Sequence, residues 1–493
     1  MQIVLNPSSI ESYQTFLKIK SLPRYQIHGH LATFPDEYAS FIVGSKTVES
    51  SGLDYEPLDC LFDYQRDITA LALRKKKFAV FAECGLGKSL IEFEFAKHLL
   101  KEIPGKGILL VTPLQVVRQM TEEIERFYGS SLPYQVIKAR DLADWTKNGK
   151  GFAITNWEAL TDDIQQGNLG ALIADESSLF KSAYGKWAQI MIRLGKGIDY
   201  KLALTGTPAP NDRIEYGNHA VFLDVFPTLN SFYAKFFVNR GQTQNRWEMR
   251  PHAIKPFFRS LSHWCIFLQN PATYGWVDNT DPLPPIDIHI HDVPLTDDQR
   301  TAFQGLTGQI IAGNAGGIVN RSKLSQIAKG KLGKLKLTTN KPAFIKRLVD
   351  SWPEESTIIW CVYNEEQSDL EKIFPDAASI SGATKQSKRD ELIDDFKKGR
   401  RKVLISKGEI LGFGMNLQIA TKMIFSSVTD SYEEYWQCIK RANRYGSRKP
   451  LGVHIPVTEI EQEMLDNVLR KAKRVQADTE EQEALFREMQ LLG

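Results

Sequence analysis

The segment FAVFAECGLGKSLIEFEFAKHLL, residues 78–100, contains a strand pattern, a glycine-rich loop and a helix pattern in that order. Its first five residues form a short apolar run, which is typical of a strand buried on both faces of a sheet. The residues after Ser89 carry apolar side chains at helical spacing. A GxGKS loop between a strand and a helix is the context in which phosphate-binding loops occur. The segment therefore predicts an α/β sheet with an anion site at the end of a strand.

The residue types of this loop suit a triphosphate. Gly85 and Gly87 let the backbone approach phosphate and turn its N–H groups toward it, and the N-terminus of the following helix adds partial positive charge. Lys88 can reach the β- and γ-phosphates of a nucleotide, and the hydroxyl of Ser89 can bind Mg²⁺. Ala82 stands where the strict pattern has glycine. The predicted ATP-binding loop comprises Gly85, Leu86, Gly87, Lys88, Ser89 and Leu90.

A second half of the site follows another apolar run, ALIA at 171–174, which ends in Asp175 and Glu176. A carboxylate at the tip of a buried strand can hold Mg²⁺, either directly or through water. The adjacent Glu176 can orient or deprotonate an attacking water molecule. Acidic pairs at loop starts are commonly only solvated, but this pair lies downstream of the phosphate loop, in the order that a nucleotide-hydrolysing domain requires. We therefore predict Asp175 as a Mg²⁺ ligand and Glu176 as a catalytic residue, with a nucleoside triphosphate and Mg²⁺ bound at the site; the family resemblance given below implies that the nucleotide is ATP.

Short apolar runs of this kind recur in two series, which alternate with amphipathic helix patterns. Each run is followed by polar or turn residues, as buried parallel strands are. The two series predict an α/β protein with two doubly wound lobes, in which ligands bind beyond the carboxyl ends of the strands. The first series is FAVFA at 78–82, ILLV at 108–111, FAIT at 152–155, ALIA at 171–174 and LALT at 202–205. The second series is TIIWCV at 357–362, VLIS at 403–406, MIF at 423–425 and VHIP at 453–456.

Four regions do not follow this rhythm, and they set the expected domain boundaries. Residues 212–298 are rich in aromatic side chains, which we interpret as the core of a mostly helical insertion rather than as a stacking platform. The expected order is an N-terminal extension at 1–57, a first lobe at 58–211, the helical insertion at 212–298, a basic linker at 299–349, a second lobe at 350–456 and bracing helices at 457–493.

The stretch 299–349 contains ten Lys or Arg residues and no Asp or Glu. Two interpretations stay open for this charge run. It is either the solvated face of a linker or a contact to a phosphate backbone, because a run of one charge sign without compensating carboxylates keeps its field. Under the second interpretation, the candidate nucleic-acid contacts are Lys329, Lys331, Lys334 and Lys336.

The composition excludes several classes of protein. With 42% hydrophobic and 25% charged residues, the chain of 493 residues is not intrinsically disordered. Its five scattered cysteines are too few for a disulfide scaffold and fit a reducing cytosol. No apolar run approaches the ~20 residues that span a bilayer, and the start of the chain lacks the pattern of a secretory signal. We therefore expect a cytoplasmic protein without a membrane partner.

Together, these motifs resemble those of helicase superfamily two, and within it the Swi/Snf-type ATPases of the compact bacteriophage and prophage kind. The resemblance covers roughly residues 60–456 and implies two RecA-like lobes, with a mostly helical insertion between them and helical terminal extensions. The matching segments are DYQRD at 63–67, AECGLGKS at 82–89, VTPLQVVRQ at 111–119, ITNWEAL at 154–160, DESS at 175–178, LTGTPAPN at 204–211, ISGATKQSKRDELIDDF at 380–396, GFGMNLQIA at 412–420 and QCIKRANRYG at 437–446.

The resemblance implies roles for further residues. Gln65 is the expected adenine contact. Gln437, Arg441 and Arg444 have a spacing that would place them on one face of a helix. The two arginines would act from the second lobe as arginine fingers on the γ-phosphate. The implied contacts to the DNA phosphate backbone are Thr112, Thr205, Thr207, Gly412, Gly414 and Asn416.

As a function, the resemblance implies a DNA-stimulated ATPase that moves along duplex DNA through phosphate-backbone contacts. Three alternatives stay open: a strand-separating helicase, the motor subunit of a restriction, defence or phage replication assembly, and a nucleotide switch that does not move. The expected setting is the cytoplasm of a bacterial or phage-infected cell, with phage replication or defence proteins as candidate partners. The sequence departs from the family pattern at Ser178, Lys440 and Ser447.

Overall fold

The computed structural model divides the chain into two compact units. The first comprises Met1–Asn279 together with Arg474–Gly493, and the second comprises Thr280–Lys473. The residues that the structure describes are 1–22, 24–35, 38–39, 42, 53–182, 184–241, 247–277, 283–311, 317–411, 416–444 and 447–488, without the side chains of 308–311 and 317–322. Two predicted DNA contacts, Gly412 and Gly414, lie outside the described residues.

The first unit contains a three-layered α/β domain and two smaller sheets. Its helices are α1 (Ile10–Ser21), α2 (Asp63–Lys75), α3 (Lys88–Glu102), α4 (Val117–Phe127), α5 (Ala139–Asn148), α6 (Lys186–Leu194), α7 (Tyr216–Phe222), α8 (Leu229–Phe236) and α9 (Ile254–Trp264). Its strands are β1 (Gln2–Val4), β2 (Gln26–His28), β3 (Leu31–Thr33), β4 (Lys77–Ala82), β5 (Gly107–Thr112), β6 (Tyr134–Val136), β7 (Gly151–Asn156), β8 (Leu169–Ala174), β9 (Tyr200–Leu204), β10 (Phe237–Asn239), β11 (Trp247–Met249) and β12 (Cys265–Leu268).

The main sheet of this unit has seven parallel strands in the order β12-β4-β9-β8-β5-β7-β6. The interior strand β5, which lies between β8 and β7, is buried along its whole length. Side chains of β5 enter two separate hydrophobic clusters, because successive residues of a strand point to opposite faces. Ile108 and Leu110 belong to one cluster, and Leu109 and Val111 belong to the other. Both faces of the sheet are therefore covered, as the continuous aliphatic runs predicted.

The second unit contains a six-stranded parallel sheet in the order β13-β20-β19-β16-β18-β17. The strands of this sheet are β13 (Ile286–Asp292), β16 (Thr357–Cys361), β17 (Ala378–Ile380), β18 (Val403–Lys407), β19 (Lys422–Phe425) and β20 (Leu451–Val457). Strands β14 (Lys331–Leu332) and β15 (Leu335–Lys336) form a separate hairpin. The helices are α10 (Asp297–Ile311), α11 (Gly317–Ala328), α12 (Lys341–Asp350), α13 (Asn364–Ile373), α14 (Gln386–Lys397), α15 (Gly408–Leu411), α16 (Tyr432–Ala442) and α17 (Gln462–Glu488), whose residues from Arg474 onward belong to the first unit.

All nine apolar runs predicted as strands are strands, and the two parallel sheets confirm the expected fold class of two doubly wound lobes. Residues 212–298 are not a separate helical insertion, contrary to the expectation, because strands from this stretch form one edge of each sheet. Strand β12 pairs with β4 at the edge of the first sheet, and β13 pairs with β20 at the edge of the second. The aromatic side chains of this stretch do form a core, in which Phe232 and Phe257 are fully buried.

The expected basic linker at 299–349 is also a folded part of the second unit. It contributes α10, α11, the β14–β15 hairpin and α12. Leu306, Ile327 and Leu337 pack together with Ile460 in a small hydrophobic cluster of their own. Residues of this cluster are spread widely along the chain, which is why a charge count could not detect it. In the described part of the chain, no helix has both the length and the apolar character to cross a membrane.

Candidate active site

Four neighbouring strands of the first sheet place the predicted site residues at one edge. The strands lie in the order β4-β9-β8-β5 and are parallel, so their carboxyl ends meet at the same edge of the sheet. The glycine-rich loop follows β4, Thr205 follows β9, Asp175 follows β8, and Thr112 is the last residue of β5. Four sequence motifs that are far apart in the chain are therefore brought together.

The glycine-rich loop has the backbone shape that its glycines predict. Gly85 and Gly87 have φ angles of +91° and +72°, in the left-handed region that glycine adopts without a steric penalty. Gly87 also lies against Gln65, where any Cβ atom would collide with the Nε2 atom of that side chain. Helix α3 begins directly after Gly87, with Lys88 as its first residue and Ser89 as its second. The loop and the helix N-terminus thus form the expected anion-binding geometry.

Helix α2 holds this loop from the other side. Gln65 is buried, and its Nε2 atom donates a hydrogen bond of 3.2 Å to the carbonyl oxygen of Leu86. The Tyr64 hydroxyl donates to the same carbonyl at 3.1 Å. The Gln65 Oε1 atom accepts a hydrogen bond from the backbone N–H of Phe62. The motif DYQRD is therefore bonded to the phosphate loop, and Tyr64 is a loop contact that the sequence motif did not single out.

The amine of Lys88 lies inside the loop. It donates hydrogen bonds to the carbonyl oxygens of Ala82 at 2.8 Å and of Glu83 at 3.4 Å. Burial alone would lower the pKa of Lys88, but electrostatic interactions with Cys84, Glu176 and Asp175, in that order, raise its pKa above the ordinary value. A lysine with a raised pKa is positively charged at neutral pH. The loop therefore holds a fixed cation next to the two acidic residues.

Asp175 is buried at the tip of β8 and is fixed by two hydrogen bonds. Its Oδ2 atom accepts a hydrogen bond of 2.7 Å from the hydroxyl of Thr112, and its Oδ1 atom accepts one of 2.9 Å from the backbone N–H of Glu176. Burial and the adjacent Glu176 raise the pKa of Asp175 to about 6, against the opposing effects of Thr112 and Lys88. A bound cation would favour the charged form of this carboxylate.

Glu176 adopts a conformation that is uncommon for a residue with a side chain. Its φ and ψ angles are both 49°, in the left-handed region. Residues held in this region cost about 1–3 kcal/mol and occur often at functional sites. The Glu176 Oε2 atom accepts a hydrogen bond of 3.1 Å from the Thr205 hydroxyl, which itself accepts one from the backbone N–H of Thr207. The residues that follow β9 therefore orient the carboxylate of Glu176.

The next residue along the chain, Ser177, is bonded to a buried histidine that sequence analysis missed. The Ser177 hydroxyl and the Nε2 atom of His219 are 3.0 Å apart. His219 lies on α7, makes ring contacts with Phe81 and Phe180, and is fully buried. Burial lowers the pKa of His219 to about 4, so the ring is neutral at pH 7. No motif marked this contact, because the two residues come together only in the folded chain.

The second unit contains the three residues of motif VI, but they do not share one helical face. Gln437 and Arg441 are buried on α16, where the Arg441 Nε atom donates a hydrogen bond to the Gln437 carbonyl oxygen. The helix ends at Ala442, so Arg444 lies in the turn that follows. The Ser447 hydroxyl donates to the Ala442 carbonyl oxygen at 2.6 Å and accepts from the backbone N–H of Arg444, which closes the helix end. The spacing argument was wrong for Arg444, because it assumed one continuous helix.

The lysines of the basic stretch have different surroundings. Lys329 is buried, and its amine donates hydrogen bonds to the Ser325 hydroxyl and to the carbonyl oxygen of Val428. Lys331 pairs with Glu365 and Lys336 pairs with Asp369, each at 2.6 Å, whereas the side chain of Lys334 is exposed. The premise that this charge run lacks compensating carboxylates was therefore wrong, because the carboxylates come from α13.

Asn416, another predicted DNA contact, is exposed and accepts a hydrogen bond from the backbone N–H of Gln418.

Comparison with known proteins places the chain in a family. Residues 74–347 match the SNF2-related domain, and residues 340–446 match the helicase conserved C-terminal domain. The chain is similar to protein p41 of Acyrthosiphon pisum secondary endosymbiont phage 1, with 23% identity over 84% of this chain and 96% of that protein. It is also similar to the ATP-dependent RNA helicase DBP2 of Encephalitozoon cuniculi, with 27% identity over 29% of this chain and 28% of that protein.

Among solved structures, the chain is similar to the Sulfolobus solfataricus SWI2/SNF2 ATPase core in complex with dsDNA, with 18% identity, a TM-score of 0.42 and coverage of 89% of this chain and 98% of that one. The SNF2-related domain alone spans more than half of the chain. With its phosphate loop, acidic pair and two parallel sheets, the protein belongs to the SNF2-related family and is an ATP-hydrolysing, helicase-like nucleic-acid motor.

Proposed function

We propose that this protein is a DNA-stimulated ATPase that moves along duplex DNA without necessarily separating the strands. One observation carries the proposal: the threonines predicted to contact DNA are bonded to the carboxylates predicted to bind metal and activate water. The Thr112 hydroxyl donates to Asp175, and the Thr205 hydroxyl donates to Glu176. A shift of either threonine on contact with DNA would move a carboxylate of the ATP site.

ATP would bind to the loop between β4 and α3, with Mg²⁺ as its metal ion. Mg²⁺ in nucleotide sites commonly takes one or two protein ligands and completes its shell with phosphate oxygens and water. Asp175 is a buried carboxylate, and Ser89 offers a hydroxyl at the start of α3, so the donor types fit this metal. Mg²⁺ would neutralise charge on the phosphates, and Lys88 would stabilise the charge that develops on them.

Glu176 would orient the attacking water molecule and accept its proton. Its left-handed backbone and the hydrogen bond from Thr205 fix the direction of the carboxylate. Gln65 would contact the adenine ring, as the family resemblance implies. Arg441 and Arg444 would act on the γ-phosphate as arginine fingers, as the family resemblance implies, and Gln437 would support them. Fingers of this kind contribute about 10³–10⁵ in rate.

DNA would be bound through its phosphate backbone, without base readout. The proposed contacts are Gly412, Gly414 and Asn416, together with the exposed Lys334. The side chains of Thr112, Thr205 and Thr207 are buried, so these threonines would respond to DNA bound at neighbouring residues rather than touch a phosphate. A second candidate function is strand separation, which is favoured by the similarity to a protein whose name is ATP-dependent RNA helicase. The similarity to a phage protein supports action in the cytoplasm of a bacterial or phage-infected cell, with phage replication or defence proteins as partners.

Two assays separate these functions. ATPase rates with single-stranded DNA, duplex DNA and RNA, measured side by side, identify the stimulating nucleic acid. Displacement of a triplex strand reports movement along a duplex, and a forked duplex reports unwinding. The proposal expects the greatest stimulation with duplex DNA and displacement of the triplex strand. Unwinding of the fork without triplex displacement would favour the helicase instead.

A further inference from the structure

The segment that follows β9 joins the candidate active site to the C-terminal helix α17. It begins with Thr205, whose hydroxyl donates a hydrogen bond to Glu176, and it continues through Thr207. Residues 208–210 then read Pro-Ala-Pro. Because each proline fixes its own φ angle, this stretch has little freedom to bend. The position of the residues after it therefore affects the position of Thr205.

One arginine of α17 binds the end of this segment through three consecutive carbonyl groups. The Arg474 Nη2 atom donates hydrogen bonds of 3.2 Å to the carbonyl oxygens of Ala209 and Pro210. Its Nη1 atom donates to the carbonyl oxygen of Asn211. A guanidinium carries five N–H donors in a planar arrangement, which suits several neighbouring acceptors. Arg474 therefore fixes the path of the backbone from the second residue after Thr207.

A salt bridge one turn further along α17 holds the residues that come next. Asp478 is buried and accepts hydrogen bonds from the Arg213 guanidinium, with 3.0 Å between Arg213 Nε and Asp478 Oδ2. Arg474 and Asp478 are four residues apart, so they lie on the same side of the helix. The chain returns to the first unit at Arg474, so these contacts lie inside that unit. The stretch 209–213 is thus attached to α17 at two points.

A neighbouring arginine of the same helix provides a comparison. Arg470 lies one turn before Arg474, but it is exposed, and its guanidinium donates a hydrogen bond to the side chain of Asn467. This hydrogen bond stays within α17, whereas the hydrogen bonds of Arg474 reach the segment that carries Thr205 and Thr207. Arg470 is therefore a matched control for Arg474.

We propose that Arg474 is a positioning residue for ATP hydrolysis, which acts through the segment 205–211 on the direction of the Glu176 carboxylate. Arg474 holds three carbonyl groups at the end of this segment. At its start, the backbone N–H of Thr207 donates to the Thr205 hydroxyl at 3.2 Å, and that hydroxyl donates to Glu176 at 3.1 Å. A displacement of about 1 Å at a reacting group can lower a rate by about 10²-fold. The inference rests on the proposed role of Glu176 in the same site.

The test measures the rate of ATP hydrolysis per bound nucleotide, so that an unfolded fraction of the protein does not enter the result. Single-turnover hydrolysis and nucleotide affinity are measured with duplex DNA for the full-length wild type, Arg474→Ala and the control Arg470→Ala. We expect Arg474→Ala to lower the hydrolysis rate by about 10–100-fold and to leave nucleotide affinity unchanged, because the phosphate loop is intact. Arg470→Ala should hydrolyse ATP at the wild-type rate.

A double-mutant cycle separates positioning from a general loss of structure. Thr205→Val removes the hydroxyl that donates to Glu176 and keeps the shape of the side chain. If Arg474 acts through Thr205, adding Arg474→Ala to the Thr205→Val protein should lower its rate by less than about twofold. If the two losses multiply instead, the effect of Arg474 does not pass through Thr205, and the inference is overturned.

Glu176→Gln, measured in the same assay, distinguishes this inference from the proposed role of Glu176. A wild-type rate in Glu176→Gln would contradict that role and the inference with it. An inactive Glu176→Gln, combined with wild-type hydrolysis in a folded Arg474→Ala, would overturn the inference alone. If Arg474→Ala does not fold, Arg474→Lys takes its place, because lysine keeps the charge but lacks the planar fork that binds the carbonyl groups. A loss of about tenfold is then expected, and a wild-type rate would overturn the inference.

Discussion

The hydroxyl of Thr112 donates a hydrogen bond of 2.7 Å to the Oδ2 atom of Asp175. Thr112 ends β5, and Asp175 follows β8, the neighbouring strand in the sheet. The family resemblance implies that Thr112 lies in a DNA-binding motif, although its own side chain is buried, and Asp175 is the proposed Mg²⁺ ligand. Through this bond, a shift of the end of β5 when DNA binds would reach the proposed ATP site.

Replacing Thr112 by valine should lower both stability and turnover. The change keeps the shape of the side chain but leaves a buried carboxylate without one of its donors, which costs about 1–3 kcal/mol. We expect kcat to fall by about tenfold, equivalent to about 1.4 kcal/mol in the activation free energy. Steady-state ATPase kinetics and thermal unfolding measure the two effects. Thr146→Val is a matched control, because Thr146 is equally buried but its hydroxyl donates to the Ala143 carbonyl oxygen of its own helix, away from the site. An equal loss of kcat in both variants would contradict the specific role of Thr112.

Replacing Arg444 by lysine should remove most of the catalytic rate with little effect on ATP affinity. Lysine keeps the charge but lacks the planar fork that binds phosphate oxygens in two places. We expect kcat to decrease by about 10³-fold, the lower end of what an arginine finger contributes. The exposed Arg448 provides the control variant Arg448→Lys. Pre-steady-state hydrolysis and nucleotide binding separate rate from affinity. A normal rate in Arg444→Lys would exclude the finger role of this residue.

The lysines of the basic stretch should differ in their effect on DNA binding. Lys334→Ala should make the salt dependence of duplex affinity less steep by about 0.9 in log–log slope, which is the value for one phosphate contact. Lys329→Ala should leave the slope unchanged and lower the unfolding temperature, because Lys329 is buried and bonded to Ser325 and Val428. Affinity measured over a range of salt concentrations tests both. If Lys329→Ala changed the slope and Lys334→Ala did not, the prediction would be wrong.

The buried His219 should make the protein less stable in acid. Its pKa is lowered from 6.5 to about 4 by burial, so below pH 6.5 the unfolded chain takes up a proton that the folded chain does not. The stabilisation is complete above pH 6.5 and is lost as the pH falls toward 4, with a total on the order of 3 kcal/mol. Carboxyl groups with raised pKa values make the stability of the protein depend on pH in the opposite direction. The contribution of His219 is therefore measured as the difference between the wild type and His219→Gln, in which those carboxyl groups are the same. The difference in the free energy of unfolding between the two proteins should become smaller as the pH falls from 6.5 to 4. A difference that stays constant would contradict the prediction.

The sequence predicted the parts of the fold whose signal is local. Every strand of the two predicted series is a short, mostly apolar run, and the glycine-rich loop depends on residues that are consecutive in the chain. Strand β12 was missed because Cys265 follows directly after Trp264, the last residue of α9, with no turn residue between helix and strand. Strand β13 does carry an alternating pattern, IDIHIHD, which a period-two search of the Pro-rich connection would have found.

The sequence predicted the site residues that belong to a local motif, but not the contacts between residues that are far apart in the chain. Gln65, Lys88, Asp175 and Glu176 occupy the expected positions around the loop, because their motifs specify both residue type and place. His219 was not predicted, because its partner Ser177 lies 42 residues earlier in the chain and contacts it only in the folded protein. The lysines show the same limit, since charge counting along the chain could not reveal that Glu365 and Asp369 lie beside them.

The most direct test of the proposed mechanism is the ATPase rate of the purified protein with and without duplex DNA, for the wild type, Lys88→Ala and Glu176→Gln. The proposed mechanism predicts that duplex DNA stimulates the wild type about tenfold or more, and that either substitution removes most of the rate, by about 10²–10³-fold. Circular dichroism should show that both variants remain folded. Near-wild-type hydrolysis in a folded Lys88→Ala or Glu176→Gln protein would contradict the assignment of this site.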